Sequence, residues 1–219
     1  MKTKIIIAFL FLSTLGLNQI FAQTGIYNIA DGKSPNGTAI TGTVSIGTYE
    51  NTWNIKRKTS DGFYNGIGIN IGQTLFFSIG IEGTVGIAVY QADGTGNLKG
   101  SHTTTKAGGK IGNESITGAS LTALEGSFKI SGNDIEKGTA YEGTVTIAKS
   151  GDIYKVTITV NDKSHEGIGI LSGDYFAVAW GSNAPYTLME YVFDENSAKG
   201  KSAQSGMIAI GSENLLIKK

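Results

Sequence analysis

GIGINIG at 66–72, which returns as GIGILSG at 167–173, has the look of a glycine loop that cradles phosphate. A dinucleotide loop needs G-x-G-x-x-G leading into a helix. Here the third glycine falls one place late, with Ile71 where it should stand, and the following QTLFFSIGIEG lacks helical spacing. DGKS at 31–34 matches the end of a phosphate loop, but the first glycine of that motif would be residue 27, which is Tyr27. DGTGN at 93–97 offers carboxylate and amide oxygens without the later glutamate of a calcium loop, so it reads as a hairpin turn. The two histidines, His102 and His165, lie in different parts of the chain, and there is no cysteine to complete a metal site. Glu114 and Glu213 recur at matching places and are expected to serve as a hydrogen-bonding cap on a last strand, ahead of a buried catalytic carboxylate. No G-x-S-x-G is present. Catalysis, a metal and a cofactor are therefore not expected.

The elements that position these residues follow from an internal repeat. Residue 25 set against residue 126, an offset of 101, aligns some 65 positions without a gap. GTAITGTVSI at 37–46 lies on GTAYEGTVTI at 138–147, Gly72 on Gly173, Tyr64 on His165 and Tyr90 on Tyr191. After small deletions, GNE at 112 meets GSE at 211. The chain divides into a leader at 1–22, a first copy at 23–118 and a second at 119–219.

Within a copy the apolar period is two. Tyr154, Val156, Ile158 and Val160 alternate with Lys155, Thr157 and Thr159, as in a half-buried strand. Trp53 and Ile55 alternate in the same way with Asn54 and Lys56. Turn signals such as DGKSPNG, SDG, KSGD and NDK separate the runs. About eight antiparallel strands per copy of ~95 residues result, an all-β meander closing as a small avidin- or lipocalin-like barrel or flattening into a sandwich. Each copy is expected to close its own sheet. In GIGINIG, Ile67, Ile69 and Ile71 face one way and the glycines the other, marking a bend or a close approach by a neighbour. A single sixteen-stranded outer-membrane barrel is the alternative, against which stand runs shorter than the roughly 9–11 residues needed to cross.

Lys2 and Lys4, the apolar run Ile5–Leu17 and a small residue at Ala22 form a secretory signal, with cleavage expected between Ala22 and Gln23. The protein is thus expected to be exported, to a periplasm, the medium or a cell surface, with no membrane insertion after the signal is removed. Loss of Lys2 and Lys4 leaves 16 basic against 18 acidic residues, and Arg57 is the only arginine. That balance gives no footprint for nucleic acid.

GTAYEGTVTIAKSGDIYKV at 138–156 and EGIGILSGDYFAVAWG at 166–181 resemble a family of small exported bacterial tandem-repeat proteins commonly labelled fibronectin-binding and largely uncharacterised. The resemblance covers nearly the whole mature chain. The first copy departs from it where Ile79 stands for Trp180 and Trp53 for Tyr154. It implies a non-catalytic, adhesin-like binder of an extracellular or surface protein such as fibronectin, with two copies adding avidity. The alternative from the residues is a carrier of a small apolar ligand inside a barrel, lined by Trp53, Phe77, Tyr154, Phe176 and Trp180. Phe176, Val178 and Trp180 share the larger apolar face of their strand and are expected to point inward, with Trp180 in a packed core.

Overall fold

A computed structural model describes residues 24 to 183 and 185 to 218; the leader and its cleavage point at Ala22 and Gln23 lie outside them. Among the described residues the regular structure is sixteen antiparallel strands with no helix. The first copy supplies β1 (Gly25–Lys33), β2 (Gly42–Tyr49), β3 (Thr52–Thr59), β4 (Gly62–Ile71), β5 (Thr74–Gly80), β6 (Val85–Ala92), β7 (Asn97–Thr104) and β8 (Gly112–Thr117). The second supplies β9 (Gly126–Asn133), β10 (Ala140–Ser150), β11 (Ile153–Val160), β12 (Lys163–Ser172) and β13 (Tyr175–Gly181). It ends with β14 (Tyr186–Phe193), β15 (Ser197–Gln204) and β16 (Gly211–Ile217).

These strands close into two eight-stranded barrels. One sixteen-stranded barrel is not formed, and neither is a flattened sandwich. The division also corrects the expectation that each copy closes its own sheet. Barrel two is the continuous meander β6 to β13, closed where β13 pairs with β6. Barrel one takes β1 to β5 from the first copy and β14 to β16 from the second, joined through β5–β14 and β1–β16. The reason is a degeneracy in the repeat. β6 and β14 are the same strand of the two copies, so each presents the same ladder to β5 or β13. The chain crosses between barrels twice, after β5 and after β13, and the crossings run side by side. The Ser182 N–H donates to the Thr84 carbonyl at 2.8 Å, and the Thr84 N–H donates to Ser182 Oγ at 3.0 Å.

Crossing lets the barrels pack on each other along an apolar seam. Ile67 and Ile69 of β4, Phe76 of β5 and Leu188 of β14 meet Ile87 and Val89 of β6 and Ile168 and Ile170 of β12. Each such side chain, fully buried, contributes roughly 1.5–3 kcal/mol. The seam also explains why β5 and β6 read as near-continuous apolar runs: both of their faces are covered.

The two glycine stretches now have a physical role. Their isoleucines point outward into the seam, and the middle glycine of each, Gly68 or Gly169, points into its barrel beneath an aromatic ring of the next strand. A Cβ on Gly169 would stand 2.7 Å from the Phe176 ring, and Gly68 lies in the same way under Phe77. An inward side chain there has no room, so an aromatic of the neighbouring strand covers the bare backbone. The later glycines, Gly72 and Gly173, adopt φ of 62° and 55° in the hairpins that follow, where only a residue without Cβ turns freely.

Candidate functional site

The two barrels present one equivalent end each, and they differ inside. In barrel one that end is filled. Arg57 of β3, 4 % exposed, reaches across the interior to Glu213 of β16, and Nη2 donates to Glu213 Oε2. The Tyr191 hydroxyl of β14 donates to the other carboxylate oxygen. Asp61 stands 3.8 Å from Arg57 Nη1 on the solvent side. Burial pulls the Arg57 guanidinium down, while the Glu213 carboxylate draws it up and wins. A cavity of only about 20 Å³ remains beside Arg57, Tyr64, Ile79 and Ser202.

In barrel two the same end holds a cavity of about 250 Å³. The alignment of the copies accounts for the difference residue by residue. Ile158 stands in place of Arg57, His165 of Tyr64, Trp180 of Ile79, Tyr141 of Ile40 and His102 of Ser202. Ile158 does not reach the carboxylate, so Glu114, the counterpart of Glu213, is left facing the cavity with no basic partner among the described ion pairs. Glu114 is 6 % exposed. It accepts hydrogen bonds from the hydroxyls of Tyr90 on β6 and Tyr141 on β10. Desolvation pushes its carboxyl up to about 7, with the Tyr141 hydrogen bond pulling the other way.

The rest of the wall is aromatic, imidazole and acidic. The Trp180 indole lies on the backbone of Gly86, where a Cβ would come within 2.6 Å of Nε1. Gly86 therefore makes the room that Trp180 needs. His102 is held by a 3.0 Å hydrogen bond from Nε2 to the Asn133 carbonyl, and its ring meets Tyr141 edge-on. Burial lowers the His102 pKa, which keeps the ring neutral at pH 7. Asp134, Ile135 and Glu136, in the loop from β9 to β10, form the mouth. Thr104 lines the wall with Oγ1 buried and without a hydrogen-bond partner. Among the described residues no group of three His, Asp or Glu gathers as a metal site.

Of the five aromatic residues expected to line a barrel interior, only Trp180 borders this cavity. Phe77 packs fully buried inside barrel one, with Trp53 partly buried against the same cluster. Phe176 and Tyr154 pack in the core of barrel two, ring edge to ring face with centroids 5.6 Å apart. Trp180 points inward as its strand face requires, packing partly buried against the core of barrel two and also bordering the cavity. DGTGN is a hairpin turn: Asp93 Oδ1 accepts the N–H groups of Thr95 and Asn97 between β6 and β7. The residues that sequence reasoning passed over are Ile158, Tyr141 and the cavity-facing side of Glu114. The signal was present, because the 101-residue offset sets the single arginine of the chain against Ile158 while both glutamates are retained. Compared with protein-family models, curated proteins and solved structures, the chain finds no match.

Proposed function

We infer that this is an exported, non-catalytic binding protein whose second barrel takes a small molecule into its open end, while the first barrel is a filled structural counterpart. The observation that carries this reading is the contrast between about 250 Å³ and about 20 Å³ at equivalent ends of two barrels in one chain. Inward-facing positions that merely pad a barrel tend toward close packing. A void of this size, walled by an indole, an imidazole and hydrogen-bonding groups, is the usual make-up of a ligand site. The volume suits a small ligand, on the order of ten heavy atoms, and falls below the usual range for drug-sized molecules.

Two tryptophans allow a direct test. In a Trp53→Phe background, Trp180 reports on the cavity alone. Titration with small aromatic amides and phenols should give saturable, one-to-one changes in its fluorescence. The same changes should vanish in Ile158→Phe, which fills the void. Binding that persists in Ile158→Phe, or no saturable response to any such probe, would refute the reading.

A second reading, adhesion to an extracellular protein such as fibronectin, draws on the family resemblance and on an apolar patch. Ile26 of β1 and Leu216 of β16, on paired strands of barrel one, are each about half exposed. Immobilised fibronectin should then capture the mature protein and release the Ile26→Ser/Leu216→Ser variant. Equal capture of both would count against this patch.

A further inference from the structure

Inside barrel one a carboxylate and a guanidinium meet. Inside barrel two the same carboxylate is kept and the guanidinium is missing, with open space in its place. Keeping a buried, ionisable group without its cation is costly unless something else neutralises it. The surroundings fit a cation from outside. Glu114 stands at the inner end with two tyrosine hydroxyls already on its oxygens, and Asp134 and Glu136 stand at the mouth. Among the described residues no lysine or arginine lines the cavity wall, and at the mouth Lys137 pairs with Asp134 at 3.2 Å. Trp180 and Tyr141 make part of the wall aromatic, the kind of surface that attracts an organic cation.

We propose that barrel two binds a small organic cation of the amidinium, guanidinium or primary ammonium class, whose charged head pairs with Glu114 in the position that Arg57 fills in barrel one. This rests on the small-ligand reading above and names the chemistry of that ligand. The head enters past Asp134 and Glu136, donates to the Glu114 carboxylate, and leaves its apolar body against Trp180 and Ile158. In effect the ligand completes in the second barrel the buried pair that the first barrel makes from its own side chains.

Protonation competes with such a ligand, because a neutral Glu114 carboxyl holds no charge for it. The other groups facing the carboxyl are Tyr90 from β6, His102 from β7, Tyr141 from β10, His165 from β12, and Asp134 and Glu136 from the mouth loop. Burial lowers the His102 pKa and backbone hydrogen bonds lower that of Asp134, while burial pushes the Glu114 carboxyl up to about 7.

The test uses the full mature protein and two probes of nearly equal shape, benzamidinium and neutral benzamide, followed by calorimetry and by Trp180 fluorescence. At pH 8 benzamidinium should bind at least ~10-fold tighter than benzamide, a difference of about 1.4 kcal/mol. At pH 5 that preference should shrink to less than ~3-fold as Glu114 takes up a proton. Glu114→Gln should remove the preference and its pH dependence while benzamide still binds. Ile158→Arg, which supplies the missing guanidinium from within, should abolish binding of both probes and also guards against Glu114→Gln failing to fold. Benzamide binding as tightly as benzamidinium at pH 8, or benzamidinium binding that survives Ile158→Arg, would overturn the cation proposal alone. If neither probe binds and Trp180 responds to no small aromatic molecule, the small-ligand reading falls with it.

Discussion

Replacing Arg57 with isoleucine converts the filled barrel into a copy of the open one, and barrel two already shows what should follow. The substitution removes the cation from Glu213, which is 4 % exposed and keeps only the Tyr191 hydroxyl as a donor. Breaking a buried ion pair by deleting one partner costs about 3–5 kcal/mol, because the remaining charge is stranded away from water. Glu114 supplies an internal reference for that stranded charge: without an arginine, its carboxyl sits at about 7. Glu213 in the variant should rise to a similar value, which fixes the pH dependence. A carboxyl raised in the folded state favours folding below its unfolded pKa and loses that advantage as pH climbs through the folded one. The full cost should therefore appear at pH 8, and about 2 kcal/mol or more of it should be recovered at pH 5. Urea unfolding followed by Trp53 in a Trp180→Phe background reads barrel one, since Trp53 packs against that core. The double variant Arg57→Ile/Glu213→Gln should be more stable at pH 8 than Arg57→Ile alone. A loss below about 1 kcal/mol at pH 8, or one that does not change with pH, would refute the buried-pair reasoning.

The unliganded second barrel should lose up to about 3 kcal/mol between pH 5 and pH 8 as Glu114 ionises; urea melts of the Trp53→Phe protein across that range check this, and Glu114→Gln should remove that loss and leave the opposite trend of His102, whose burial-lowered pKa favours the fold as pH rises. A fragment of residues 85–181 contains every strand of barrel two in one continuous meander and should unfold cooperatively on its own. Its uncovered Ile87, Val89, Ile168 and Ile170 should make it self-associate, and a monomeric, unfolded fragment by sedimentation and circular dichroism would show that barrel two depends on barrel one. Mass spectrometry of the exported protein should find Gln23, free or cyclised, as the first residue; an intact Met1 on exported protein would end the expectation of a cleaved leader.

Much of this architecture is written locally. Alternation of Tyr154, Val156 and Ile158 against Lys155 and Thr157 specifies a strand and its inward face, because side chains on a pleated strand alternate whatever its partner. Turn residues set the hairpins, and the repeat sets the count of eight strands per copy. The inward aim of Trp180 follows from the same alternation. The choice of partner is not local. β6 and β14 carry the same pattern, so the ladder from β5 can continue into either, and no period or turn signal separates the two closures. What decides is burial between distant faces: the outward isoleucines of both glycine stretches are covered when the barrels pack along the seam. The site has the same history. The sequence held a lone arginine opposite Ile158 at the 101-residue offset and two glutamates that recur after the small deletions, and both facts were legible. That Arg57 meets Glu213 across 156 residues of chain, and that Ile158 leaves Glu114 facing a void, depends on barrel closure bringing β3 opposite β16 and β11 opposite β8. Charge complementarity across a barrel is a property of the closed sheet, since only closure brings strands so far apart in sequence within reach of one another.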